Sequence, residues 1–80
     1  MNIYLLMKNF NHILLFKTNC FKKRDKAAVK KLMAQLTGVE DWNIDMDDDD
    51  RVLRIISRTL SHQYIINLLN QHGYQCGELT

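Results

Sequence analysis

The chain has 80 residues, contains no proline and carries a formal net charge of +2. A chain of this length buries only about 60% of its unfolded surface, so it forms a single domain around one core. A hydrophobic fraction of 46% and a charged fraction of 25% exclude disordered and fibrous classes. The longest apolar runs are far shorter than the ~18 residues that span a bilayer, and no signal peptide is recognisable. These features predict a folded cytoplasmic domain without membrane insertion.

The chain first predicts a strand and then an amphipathic helix. The segment His12–Lys17 is rich in aliphatic and aromatic residues and too short for a typical helix, which indicates a strand. From Asp25 onwards, apolar residues recur at spacings of three and four until Gly38 provides a C-terminal stop. The apolar stripe of this helix consists of Ala28, Val29, Leu32 and Leu36.

A hairpin is predicted next. Trp42, Ile44 and Met46 alternate with polar residues, which is the period of a half-buried strand. The run Asp47–Asp50 suits a turn, because aspartate side chains accept hydrogen bonds from nearby backbone N–H groups. Arg51–Arg58 then has the composition of a returning strand.

A second helix and a short last strand complete the pattern. Ser61 is a candidate N-cap, an apolar stripe follows it, and Gly73 ends the helix. Tyr74–Leu79 is long enough only for a closing strand. The stripe consists of Tyr64, Ile65, Leu68 and Leu69.

The order strand, helix, strand, strand, helix, strand predicts an α+β fold. This fold is the ferredoxin-like βαββαβ sandwich, in which two helices cover one face of a four-stranded antiparallel sheet. We assign residues 12–80 to this domain and residues 1–11 to an N-terminal extension. Met7 is a second candidate translation start.

Charge is strongly segregated along the chain. Basic residues crowd the stretch from Lys17 to Lys31, and acidic residues crowd the stretch from Glu40 to Asp50. Lys22, Lys23 and Arg24, which precede the first helix, form a candidate anion site beside free backbone N–H groups. Nucleic acid is not favoured as a partner, because the chain has neither an aromatic RNA-binding signature nor a DNA-reading motif.

The alternation of the strands also predicts an apolar open face of the sheet. If Leu14 and Phe16 face the helices, their neighbours face the other side. The candidate interface on that side consists of Ile13, Leu15, Val52 and Ile56. A patch of this kind either receives the segment Met1–Phe10 or mates with another chain, which includes formation of a homodimer.

Several segments in this order resemble the heavy-metal-associated (HMA) domain family of small copper and zinc carriers. The matching segments are F-K-T-N before the loop, the helix with Val29 and Leu32, G-V-E-D-W-N-I-D, V-L-R-I and L-L-N-Q-H-G-Y. The resemblance covers residues 12–79, and it implies the same βαββαβ fold.

The family binds soft metal ions through the motif M-x-C-x-x-C. Alignment on Val29 places Cys20 at the methionine, Lys22 at the first cysteine and Asp25 at the second. An ammonium group and one carboxylate cannot replace the thiolates that select copper(I) and hold zinc. The resemblance therefore implies a small binding or regulatory domain that lacks the family's metal and contacts a protein through the basic loop or the sheet face. Lys22 would supply a permanent positive charge where the ion sat, with Asp25 as its partner or as a helix cap.

A metal-carrying alternative remains open. The last strand of this fold runs beside the first, so Cys76 could approach Cys20. Cys20 could then bind copper or zinc together with Cys76 or with a histidine. Cys20, in a loop beside a helix N-terminus and lysines, is predicted to be the more reactive thiol. Cys76 is expected to fill space in the core. No catalytic arrangement and no glycine-rich phosphate loop are present, so the chain is not expected to be an enzyme or to hold another cofactor.

Overall fold

The predicted βαββαβ fold is confirmed by the computed structural model, which describes residues 12–79. The predicted N-terminal extension, with Met7, lies outside the described residues. Neither helix in residues 12–79 is long and apolar enough to cross a membrane. The elements in chain order are β1 (Ile13–Thr18), α1 (Lys23–Gln35), β2 (Asp41–Ile44), β3 (Leu53–Ile56), α2 (His62–Gln71) and β4 (Cys76–Glu78).

The four strands form one antiparallel sheet in the order β2-β3-β1-β4. Phe16 of β1 lies opposite Leu53 of β3 on one side and Glu78 of β4 on the other. Thr18, at the end of β1, lies opposite Cys76. The register thus brings the start of β4 beside the loop that leads into α1.

The core lies between the helices and one face of the sheet. Phe16, Leu53 and Ile55 are fully buried there, as are Ile65 and Leu69 of α2. Most of the predicted helix-facing residues are buried in this cluster, and Trp42 and Met46 pack against it partly buried. The assignment of Tyr64 to the apolar stripe of α2 is wrong, because Tyr64 is 49% exposed on the outer side of this helix.

Local signals set the helix ends. The Ser61 hydroxyl accepts a hydrogen bond from the Tyr64 N–H at 3.1 Å, so Ser61 is the N-cap of α2 as predicted. Gly38 follows α1 with φ of +104°, a conformation that costs an L residue free energy. A Cβ at Gly38 would also collide with Thr59 Oγ1. Gly73 follows α2 with φ of +87°, but a Cβ there would meet no atom within 4 Å.

The predicted open apolar face needs correction. Val52 and Ile56 are only 4% and 2% exposed, although neither belongs to the core cluster under the helices. Ile56 lies on a central strand, where Ile13 and Asp41 flank it from the two neighbouring strands. Ile13 and Leu15 are half-buried. Val52 and Ile56 are therefore not exposed to solvent, and the sheet-face interface of Ile13, Leu15, Val52 and Ile56 stays a prediction.

Candidate functional site

The loop between β1 and α1 is held to two other parts of the fold. The Thr18 N–H donates to the Asp50 carbonyl at 2.9 Å, and the Thr18 hydroxyl donates to the Arg51 carbonyl at 2.8 Å. On the other side, the Asn19 N–H donates to the Gln75 carbonyl at 3.2 Å, and the Gln75 N–H donates to Asn19 Oδ1 at 2.9 Å. These bonds fix the loop between the acidic turn and the start of β4.

Lys22 and Asp25 are joined by hydrogen bonds at the start of α1. The helix begins at Lys23, two residues before the predicted start, and Lys22 is its N-cap. The Asp25 carboxylate accepts the Lys22 backbone N–H at 3.0 Å, and the Asp25 N–H donates to the Lys22 carbonyl at 2.9 Å. A lysine side chain has no acceptor, so only the carboxylate half of a capping box forms here. Asp25 therefore caps the helix by binding the backbone of Lys22.

Cys20 is a core residue, and its predicted reactivity relative to Cys76 stays a prediction. Its side chain is fully buried. Burial raises the pKa of the Cys20 thiol, a hydrogen bond with Thr18 lowers it, and the charge of Asp25 raises it. The lysines ahead of α1 are exposed on the surface, so their charges do not offset the loss of water around the sulfur. Cys20 is thus a protonated, enclosed thiol at neutral pH.

Cys76 lies near Cys20, as the strand order predicted. It is half-buried at the start of β4, and both cysteines are free thiols. Burial raises the pKa of Cys76 to about 12, and the negative charge of a Cys20 thiolate acts in the same direction. Two thiols that both resist deprotonation make a poor starting point for a thiolate metal site. Within residues 12–79, no group of three or more His, Cys, Asp or Glu side chains could hold a metal ion.

The histidine suggested as a third ligand is not found in this loop. His62 begins α2, and its ring lies 5.1 Å from the ring of Phe16. Its Nε2 lies 3.8 Å from a carboxylate oxygen of Glu78. His62 therefore contacts the core and β4 rather than the two cysteines.

Tyr74 belongs to the site, although the sequence pattern assigned it only to the closing strand. Burial raises the pKa of the Tyr74 hydroxyl; the charges of Asp25 and Cys20 and a hydrogen bond with Asp25 raise it further, whereas Arg24 lowers it. Tyr74 thus connects the start of α1 with the residues before β4. Its position two residues before Cys76, on the same side of an extended segment, was the available sequence signal.

Phe21 is the second residue that the sequence pattern missed. Its side chain is 57% exposed at the tip of the loop, and the Arg51 guanidinium carbon lies 5.1 Å from the centre of its ring. The basic residues Lys22, Lys23 and Arg24 continue this surface and are all exposed. The predicted anion site on these three residues stays a prediction, and the Asp25 carboxylate already occupies the N–H of Lys22.

The fold is similar to that of a copper chaperone domain. The solved structure of the copper(I)-loaded first domain of the human copper chaperone for SOD1 superposes with a TM-score of 0.71 and 24% sequence identity. The similarity covers 82% of this chain and 89% of that domain. No protein-family model matches the sequence, and no curated protein matches it significantly. The resemblance to HMA domains is thus confirmed at the level of the fold.

Proposed function

We propose that the chain is an HMA-like domain that has exchanged the family's metal ligands for Lys22 and Asp25 and acts by binding another protein. The observation that carries the proposal is the hydrogen bond from the Lys22 N–H to the Asp25 carboxylate at 3.0 Å. It joins the two positions that align with the cysteines of M-x-C-x-x-C. The shape of this loop therefore depends on a bond within the chain and needs no bound ion. We expect a non-enzymatic, cytoplasmic domain.

The surface around this loop supports protein binding. Phe21 presents an aromatic ring to solvent, and Arg51 packs over that ring. Aromatic and arginine side chains are enriched among the residues that dominate protein interfaces. Lys22, Lys23 and Arg24 surround the ring with positive charge. Because the loop is closed by its own hydrogen bonds, this surface is available to a partner without a metal-loading step.

Copper or zinc transport is the second candidate. It is favoured by the proximity of Cys20 to Cys76 and by the fold of the copper(I)-loaded chaperone domain. The donor set fits it poorly, because both thiols have raised pKa values and Cys20 is fully enclosed. A metal bound there would have to displace two protons from sulfur and open the core around Cys20.

Native mass spectrometry of the reduced full chain with copper(I) and with zinc separates the two candidates. The test variant is K22C/D25C, which restores the family motif at the aligned positions. We expect the variant to take up one copper(I) ion and the natural sequence to take up none. Stoichiometric copper on the natural sequence, lost in Cys20→Ser, would overturn the proposal and establish the carrier. Failure of K22C/D25C to bind would show that the loop is not equivalent to the family's metal loop.

A further inference from the structure

A basic groove lies between α1 and strand β2, away from the two cysteines. Its volume is about 500 Å³. We call it the lysine groove. It is lined by Lys23, Lys26, Ala27, Lys30, Trp42 and Asn43. The three lysines are spaced by three and four residues, so they share one side of the helix, and all three are exposed. Trp42 is half-buried and supplies an apolar surface in the groove.

The floor of the groove belongs to an edge strand of the sheet. β2 pairs with β3 on one side, and it is the first strand in the sheet order. The Asp45 N–H donates to the Val52 carbonyl at 2.9 Å. Alternate residues of β2 therefore direct their N–H and C=O groups toward β3, as Asp45 does, and the residues between them direct these groups away from it. The peptide groups of Trp42 and Ile44 consequently point away from β3. The Trp42 N–H donates to the carboxylate of its neighbour Asp41 at 2.8 Å, so a strand added here would have to displace that carboxylate to accept from Trp42.

We propose that the lysine groove binds an extended acidic segment of a partner protein, which adds to the sheet beside β2. This inference rests on the proposed function and names the chemistry of the partner. An edge strand provides backbone groups for such an added strand, and the neighbouring side chains select the sequence. No acidic side chain lines the groove, so its three positive charges favour glutamate or aspartate on the side of the segment that faces α1.

The three lysines cover a length that an extended segment can follow. Lys23 and Lys30 are seven residues apart on α1, a rise of about 10 Å. Alternate residues of a strand are about 7 Å apart and face the same side. Two acidic residues at alternate positions therefore fall within the length covered by the lysines. The aliphatic part of these acidic side chains would lie against Trp42, which lines the same groove.

Two other occupants would use the same charges differently. A nucleic acid would contact the lysines through phosphates and would not need the edge of β2. A second copy of this chain would insert its own acidic turn, which includes Asp47 and Asp49, both exposed. The acidic peptide differs from both, because its binding needs backbone hydrogen bonds as well as negative side chains.

Fluorescence titration of the full chain tests the inference directly. Trp42 is the only tryptophan of the chain, so its emission reports on the groove without a label. The probe is a short synthetic peptide with glutamates at alternate positions, and the control peptide has glutamines in their place. We expect saturable change with the glutamate peptide, weaker at higher salt, and none with the glutamine peptide. Lys26→Glu should weaken binding at least about tenfold. Lys31→Glu, the same charge change at an exposed site of α1 outside the groove, should weaken it less than about threefold.

Backbone methylation of the peptide tests the strand pairing. N-methyl groups on one set of alternate residues should abolish binding, and N-methyl groups on the other set should not. Equal binding by both methylated peptides, or equal binding by a DNA oligonucleotide, would overturn the inference. So would a dimer in sedimentation experiments that Lys26→Glu dissociates. Absence of peptide binding would also overturn the inference. The proposed metal-free loop would still stand in that case if K22C/D25C takes up copper(I) and the natural sequence does not.

Discussion

The thiol of Cys76 gives a quantitative test of the geometry at the loop. Burial, assisted at high pH by the negative charge of a Cys20 thiolate, raises the pKa of Cys76 from 9.0 to about 12. Only the thiolate attacks a disulfide reagent, so three pKa units reduce the reactive fraction at pH 8 by about a thousandfold. We expect Cys76 in the folded protein to react about 100 to 1000 times more slowly than in the unfolded chain.

The assay needs each thiol alone. Cys20→Ser leaves Cys76 as the only cysteine, since the chain has two. Its reaction with an aromatic disulfide is followed by absorbance at pH 8, once in buffer and once in guanidinium chloride. The substitution also removes the charge that raises the pKa of Cys76, so the value measured in the variant should lie below 12 and above 9.0. Cys76→Ser isolates the fully buried Cys20, which should react only when the fold opens.

Two results would refute this reasoning. A folded-state rate within about tenfold of the unfolded rate would mean that Cys76 is not desolvated as described. A rate profile that levels off near pH 9 would mean that its pKa is ordinary. Either result would restore Cys76 as an accessible thiolate donor and would strengthen the copper or zinc alternative.

The remaining predictions concern stability, measured as the free energy of unfolding in urea. Gly38→Ala should cost about 2 to 3 kcal/mol and Gly73→Ala about 1 kcal/mol, because only Gly38 combines positive φ with a collision at its Cβ; equal losses would contradict the packing described. Asp25→Ala should cost about 1 kcal/mol through the lost cap, whereas the exposed control Asp49→Ala should cost less than about 0.5 kcal/mol. Because folding raises the pKa of Cys76, the protonated thiol favours the folded state. This stabilisation is fully present below pH 9 and is lost as the pH rises from 9 to 12. Cys76→Ser should flatten that alkaline decline, and an unchanged slope would show that other groups cause it.

The element order could be predicted from the sequence because its signals are local. The stripe with Val29 and Leu32 lies within α1, and Gly38 and Gly73 lie three and two residues after the ends of their helices. The burial of Cys20 could not be predicted in this way. It depends on contacts between β1, α1 and the segment before β4, which the topology brings together only in the folded chain.

The lysine groove could not be predicted from the sequence either. The cluster of basic residues is evident in the sequence, but the sequence pattern assigned Trp42 only to a half-buried strand. That residue comes from β2, twelve residues beyond Lys30, and it lines the groove together with the lysines of α1 at the edge strand of the sheet. A site formed by one helix face and one edge strand can be predicted only when the order of the strands in the sheet is known. Hydrophobic periodicity does not give that order.

The charge at the loop connects the proposed function with the acidic partner. Two thiolates and one copper(I) ion carry one net negative charge, whereas the same two thiolates with zinc carry none. Lys22 and Asp25 together also carry no net charge, so at this position the chain resembles a zinc-loaded loop and is one unit more positive than a copper-loaded one. Lys23 and Arg24 follow immediately and are exposed. A partner suited to the copper-loaded surface of a chaperone domain would therefore meet excess positive charge here, which disfavours basic partners and favours an acidic one.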